Sequence, residues 1–313
     1  MRRERGNVVG AATLWLDLGA GLLLFGLIGA AILDVRTREV PDRLWQGLGI
    51  VGAIGGAAVI ASAGPLPLLF WLVVAALALE HVFPWDADGK GRVGEWADYI
   101  ELIAYVLVSV VIGVGVLRTG LGGGGVPPAA VALLVTVVLA RVLFEAGVLY
   151  GGADAKALIV AGVLVPLFPV PWIGVPASAQ LLASFVPFPI DLLMDAAILS
   201  IVVPIAVAIV NLRRREFSVR TGFTTYTIPV DQLPARFVWV RDPAYPTDPE
   251  EEAAIETSEE DRAWRTKVAA ALTDRGISRV RVGPQLPFIV LMVGGALGAL
   301  LLGNWIVDLL AVL

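Results

Sequence analysis

Apolar residues in this chain fall in long runs separated by short polar stretches. The runs lie at about 8–33, 44–62, 66–83, 97–117, 127–149, 155–170, 191–210 and 286–311. Each except 155–170 is near the ~20 residues that an α-helix needs to cross the hydrocarbon core of a bilayer. The pattern predicts about eight transmembrane helices, with both termini on one side. The weakly alternating ten-residue segments of a transmembrane β-barrel are absent. The first run is interrupted by a single charge, Asp17, and no small-residue cleavage site follows it. It passes instead through Asp34-Val-Arg-Thr-Arg-Glu39 into Val40-Pro41, so a retained span is expected rather than a cleaved signal peptide. Between Pro166 and Pro189, six prolines break an apolar stretch, which predicts a re-entrant or interfacial segment.

One sizeable polar segment, about 211–285, has a different texture. It holds β-rich runs at Phe223–Ile228 and Arg236–Arg241, a helical stretch near 258–274 and a third short run at Ile277–Val282. Gly276 stands where a C-terminal cap belongs. The fold class expected is an all-α polytopic membrane protein with a small α+β cytoplasmic insertion. Its parts would be a transmembrane core at 1–210, a soluble insertion at 211–285 and a final transmembrane helix at 286–313. Asp248–Asp261 carries eight acids in fourteen residues and no base. It reads as a solvated loop and helix start, where carboxylates favour the helix N-terminus.

Composition agrees with a membrane protein. Hydrophobic residues make up 58% of the 313 residues and charged ones 16%, and the mean hydropathy is +0.82. Soluble domains run at about 45–50% and about 25%. An ordinary cytosolic enzyme, a secreted disulfide scaffold and a disordered chain are excluded. A net charge of −5 offers no basic footprint for nucleic acid. There is no cysteine, so no disulfide framework, thiolate metal site or Cys nucleophile. The single histidine, His81, excludes a multi-His metal site, and neither metal nor cofactor is expected. Cations orient the spans. Ten (Arg36, Arg38, Arg43, Lys90, Arg92, Arg141, Lys156 and Arg213–Arg215) fall on one set of loops and helix ends, and four (Arg2, Arg3, Arg5, Arg118) on the other. The positive-inside rule makes the first set cytoplasmic.

Ionisable groups inside an apolar chain are default functional candidates. Two stand out. Asp34 lies at the cytoplasmic end of the first span, and Asp154 follows Tyr150-Gly151-Gly152-Ala153 at the start of the short sixth span. Parity of the spans between them assigns both to the same face. Two carboxylates at one depth, partly screened from water, can share a proton. Such a pair can take a proton from water and give one to a leaving amine, which needs no metal, cysteine or histidine. Gly151 and Gly152 let the backbone turn tightly and a substrate strand or helix come close. The plainer alternatives are that Asp34 caps its helix or pairs with Arg36 or Arg38, that Asp154 is an N-cap, and that Lys156 snorkels to the surface. Asp191 and Asp195, four residues apart on one helix face, form a competing pair, read as an exposed helix start near the outer side. Arg141 and Glu145 read as an intramembrane ion pair, and Glu80-His81 as an interfacial pair. Asp86–Ala97 imitates the start of a calcium loop but lacks its glutamate, and reads as a solvated turn.

These residues carry a family resemblance. Asp34-x5-Val40-Pro41 after a first span resembles the first-aspartate motif of the type IV prepilin peptidases. Gly151-Gly152-Ala153-Asp154-Ala155-Lys156 resembles their Gly-x-Gly-Asp-x-Lys motif, with alanine at the second glycine. Val282-Gly-Pro-Gln-Leu-Pro-Phe288 before the last span is similar to the end of the archaeal branch, the preflagellin and prepilin peptidases. The resemblance implies a membrane-embedded aspartic endopeptidase that removes the short basic leader from prepilin and preflagellin (archaellin) precursors at the cytoplasmic face of the cell membrane. It makes Asp34 and Asp154 the catalytic pair and Lys156 a group that biases Asp154 toward ionisation. Its partners would be those precursors and the lipid bilayer. If Ala153 had to adopt positive φ, its methyl would cost about 1 kcal/mol. The rival functions are a transporter or channel using intramembrane carboxylates, a presenilin-like protease, which should carry a Tyr-Asp pair that Leu33-Asp34 does not supply, and an inactive secretion scaffold.

Overall fold

The computed structural model describes residues 2–83, 96–121, 125–149, 152–168, 186–243, 245 and 257–303. The calcium-loop imitation from Asp86, Gly151 and most of the Pro-rich and acidic stretches lie outside the described residues. Among the described residues, ten α-helices and three strands follow in chain order. They are α1 (Arg2–Thr37), α2 (Asp42–Ile60), α3 (Pro65–Val82), α4 (Trp96–Thr119), α5 (Pro128–Glu145), α6 (Gly152–Leu164), α7 (Phe188–Ser200), α8 (Val202–Arg214), β1 (Tyr226–Pro229), β2 (Val238–Val240), α9 (Ser258–Asp274), β3 (Arg279–Pro284) and α10 (Phe288–Leu302). The chain forms two contact units. One holds residues up to Ala31, Val40–Ala196 and those from Met292 on; the other holds Ile32–Glu39 and Ala197–Leu291.

In the first unit α6 packs against α2, α3 and α5, and Ala155 and every residue from Ala157 to Leu164 are buried. Its apolar run therefore has a different cause from that of its neighbours. At 1.5 Å per residue, thirteen residues rise about 20 Å, short of a ~30 Å hydrocarbon core. The helix is apolar all round because other helices cover it. Close packing on α2 uses the buried glycines Gly49 and Gly52, whereas Gly56 lies against Trp71 of α3. A Cβ on Gly52 would stand 2.9 Å from Val163 Cγ1 and 3.1 Å from the Val163 carbonyl carbon. Small residues at such a seam let helix backbones approach.

Among the described residues, five stretches are long and apolar enough to cross a membrane: Ala12–Thr37, Asp42–Ala63, Pro65–Val82, Pro128–Glu145 and Phe188–Arg214. Ile103–Thr119 and Phe288–Leu302 are shorter apolar helices. The protein is thus a mostly helical membrane protein with a small sheet. The span expected at 191–210 is two helices, α7 and α8. Pro204 is the physical reason. It has no N–H for the Ser200 carbonyl, and its ring crowds that carbonyl, so α7 ends at Ser200.

The second unit holds an antiparallel sheet in the order β1-β3-β2, with Ile228 opposite Val280 and Val240 opposite Val282. α9 lays Trp264, Val268 and Leu272, four residues apart, on a core that includes Ile228, Leu233, Val238 and Val282. The helix starts at a capping box, in which Thr257 Oγ1 accepts from the Glu260 N–H and the Glu260 carboxylate accepts from the Thr257 N–H. It ends where Gly276 takes φ +73°. There the Ile277 N–H reaches Leu272 O at 3.0 Å and the Gly276 N–H reaches Thr273 O at 2.8 Å, the two bonds of a Schellman cap.

Candidate functional site

Asp34 lies in the last turn of α1. Its side chain is only 15% exposed, and Arg38 Nη1 stands 3.9 Å from its Oδ1, the helix-end pairing that the sequence left open. Arg38 closes the turn. Its N–H donates to Asp34 O at 3.0 Å, and its φ is +61°. A non-glycine residue there costs about 1–2 kcal/mol, so the arginine side chain has to recover that cost. Its guanidinium donates to Gln285 O at 2.5 Å and lies 5.1 Å from the centroid of Phe237, a cation–π contact. Arg265 lies 5.2 Å from the same ring, and its Nη1 is 3.1 Å from Asp261. Burial draws the Arg265 pKa down, and Asp261 opposes that shift.

The next residue makes a second tie. Glu39 Oε1 accepts from the Ser258 N–H at 2.9 Å and from Ser258 Oγ at 2.8 Å. A carboxylate at the N-terminus of α9 meets unpaired N–H groups and the positive end of the helix dipole. The Ser258 backbone bond, then its hydroxyl bond, hold the Glu39 carboxyl below the usual range. The Asp34 turn is thus fastened to the α+β unit at Gln285, Phe237 and Ser258. None of these partners was legible in the sequence. From sequence Arg38 reads as a loop cation and a pairing partner for Asp34, with no long-range role.

Asp154 sits in the first turn of α6, half-buried, at the helix end that favours negative charge. Ala153 lies inside the helix, so the positive-φ cost considered for it does not arise. A Cβ on Gly152 would meet nothing within 4 Å, so open space lies beside this turn. Lys156 Nζ donates to Asp42 Oδ1 at 2.5 Å. The lysine thereby joins the first turn of α6 to the first residue of α2. Asp42 is the site neighbour that sequence reasoning missed; its place directly after Val40-Pro41 was the available signal. A small cavity of about 100 Å³ beside α6 is lined by His81, Arg141, Phe144, Gly152, Lys156 and Ile159, among others.

Other candidates resolve differently. Asp191 and Asp195 are not an exposed helix start: they are 0% and 4% exposed. The cover at Asp195 is α10, which comes so close at Gly298 that a Cβ there would stand 2.5 Å from Asp195 Oδ2. Arg141 and Glu145 do pair, at 2.9 Å, the arginine half-buried and the glutamate exposed. His81 hydrogen-bonds the Tyr105 hydroxyl and stacks on its ring at 5.6 Å, while Glu80 beside it is exposed. No protein-family model matches the chain, and no curated protein matches it.

Proposed function

We propose that this protein is a membrane-embedded aspartic endopeptidase that removes the short basic leader from prepilin-like and archaellin-like precursors at the cytoplasmic face. One observation carries the reading. Two aspartate motifs occur in the order of the type IV prepilin peptidases, each at an end of an apolar helix: Asp34 in the last turn of α1 and Asp154 in the first turn of α6. In the chemistry they would perform, one ionised carboxylate takes a proton from water. The hydroxide so formed attacks the scissile carbonyl, and the second, protonated carboxyl gives its proton to the departing amine. Products are a free leader acid and a new amino terminus, with no cofactor consumed. Holding peptide and water together replaces a bimolecular encounter with an oriented one. Arg38 and Lys156 would serve as positioning groups: Arg38 fastens the Asp34 turn, and Lys156 fastens the Asp154 turn to Asp42.

A second reading, a transporter or channel, is favoured by one observation, the burial of Asp191 and Asp195 within an apolar helix. Charges there are costly and mark ion or proton pathways in many membrane proteins. A membrane cleavage assay separates the two. A tagged precursor is incubated with wild type, Asp34→Asn, Asp154→Asn and Asp191→Asn. The peptidase reading expects losses of about a thousandfold or more in the first two, the scale of removing an acid–base group, and retained cleavage in Asp191→Asn. Undiminished cleavage in Asp34→Asn and Asp154→Asn would overturn it.

A further inference from the structure

The end of α8 and the sheet beside it frame a cleft of about 480 Å³, within the range for small-molecule sites, about 300–1,000 Å³. Local structure brings three arginines to it. Arg214 is the last residue of α8, and Arg215 follows in the left-handed region at φ +58°. The Arg215 N–H donates to Leu212 O at 3.1 Å and the Glu216 N–H to Asn211 O at 2.9 Å. This Schellman close turns the chain back on itself and brings Glu216 beside the sheet. Arg236 and Gln232 come from the turn between β1 and β2. Arg279 opens β3, opposite Pro229 of β1. All of these side chains except Arg215 line the cleft.

Charge in the cleft is unbalanced. Glu216 is its only acid among the described residues, and that carboxylate is already shared. It accepts from Arg279 Nη2 at 3.0 Å and from the Thr227 hydroxyl. The other two guanidinium groups hold neutral oxygens. Arg214 Nη1 donates to Thr227 O at 2.6 Å, and Arg236 Nη2 donates to Gln232 Oε1 at 2.8 Å. Three positive charges thus stand against one negative. All three arginines are exposed, so an anion can reach them. A second observation identifies its source. Phe188–Arg214 is long and apolar enough to cross a membrane, and Arg214 is its last residue. Where a crossing helix ends, its terminal cations stand at the depth of the headgroups. The apolar part of the lining is small, Ile228 and Pro229, and Ile228 is itself buried. The cleft therefore takes a charged head and no hydrocarbon chain.

We infer that this cleft binds the phosphate of an anionic lipid headgroup, held by Arg214, Arg236 and Arg279 while the chains stay in the bilayer. Arginine suits this role because its planar fork pairs with phosphate oxygens bidentately. One exposed ion pair is worth little, but several guanidinium groups on one phosphate act together. The inference uses none of the residues of the peptidase reading and does not rest on it.

The test is native mass spectrometry of the full-length protein in detergent micelles. The micelles carry equal amounts of phosphatidylglycerol and phosphatidylcholine of the same chain length. Wild type is expected to retain the anionic lipid at least about tenfold over the zwitterionic one, given roughly a factor of five per basic residue at a lipid surface. Arg236→Gln, an exposed position, should lower that ratio about fivefold. Glu216→Gln removes the competing carboxylate and should raise the ratio about fivefold, a gain that loss of fold does not produce. Arg262→Gln, the same change of charge on α9 outside the cleft, should leave the ratio unchanged. A large excess of inorganic phosphate at constant ionic strength should not displace the lipid, because free phosphate lacks the chains that keep the head at this depth. Equal retention of both lipids by wild type, the same ratio in Arg236→Gln as in Arg262→Gln, or a Glu216→Gln ratio no higher than wild type would each overturn the assignment. Displacement by inorganic phosphate would make the ligand a soluble phosphate and overturn the lipid source.

Discussion

Arg38 shows how a single side chain links local strain to long-range structure. Its backbone occupies the left-handed region at φ +61°, where glycine is at ease and other residues pay. Its partner Gln285 lies 247 residues along the chain. Arg38→Gly removes both the strain and the side chain, whereas Arg38→Ala removes the side chain and keeps the strain. Thermal unfolding should find the alanine variant less stable than the glycine variant by about 1 kcal/mol. In the cleavage assay both should lower kcat about tenfold and change KM little, because Asp34 remains but its turn loosens. Equal stability of the two would show that the backbone there carries no strain. Glu39 supports a pH prediction. Its folded pKa lies below the unfolded value near 4.3, so the Ser258 tie contributes stability above that value and loses it as pH falls through the lowered pKa. The gap in melting temperature between wild type and Glu39→Gln should be fullest at pH 7 and close in acid. At this scale the places of Asp34 and Asp154 at helix ends were legible, because helix-end signals are local. Arg38, Asp42 and Ser258 were not, because each acts through a residue distant in sequence.

Helices of similar composition can have different causes. α3 and α5 are long enough to span a bilayer, whereas α6 has thirteen residues and is covered by α2, α3 and α5. Hydropathy alone does not separate a lipid-facing helix from one surrounded by protein, since both lack polar residues. Length does, and the run at 155–170 is short for a span. Gly52 is the residue at which α2 accepts α6. Gly52→Leu forces its side chain into Val163 and should cost about 1–3 kcal/mol, the usual penalty for overpacking, read as a lower melting temperature in detergent. Gly47→Leu, on the same helix with no atom within 4 Å of an added Cβ, is the control and should have little effect. Asp191 and Asp195 make the complementary point. Their spacing puts them on one face, and it is the tertiary approach of the glycine-bearing α10 at Gly298 that helps cover Asp195. In the α+β unit, by contrast, α9 was legible almost to the residue. Its core positions recur every four residues at Trp264, Val268 and Leu272, and Gly276 ends it.

For the whole molecule, the absence of cysteine makes labelling clean. The proposed orientation expects Ser62→Cys, in the turn between α2 and α3, to react with a membrane-impermeant maleimide added outside intact cells. Arg215→Cys, at the end of α8, should react only after the membrane is opened. The reverse pattern would invert the orientation and overturn cleavage at the cytoplasmic face as proposed. What the sequence by itself determined was the solvent and the local grammar. Long apolar runs require a bilayer, because their surface cannot be hydrated favourably, and short-range signals set the bounds of α9, its cap and the two aspartate turns. The tertiary structure decided which apolar helices face lipid and which face protein, and which carboxylates are buried. It also decided that the turn after α1 is fastened to the sheet unit through Arg38 and Glu39. These are matters of contact between segments far apart in the chain. Burial and pairing depend on what arrives from elsewhere, and no local pattern of residues records it.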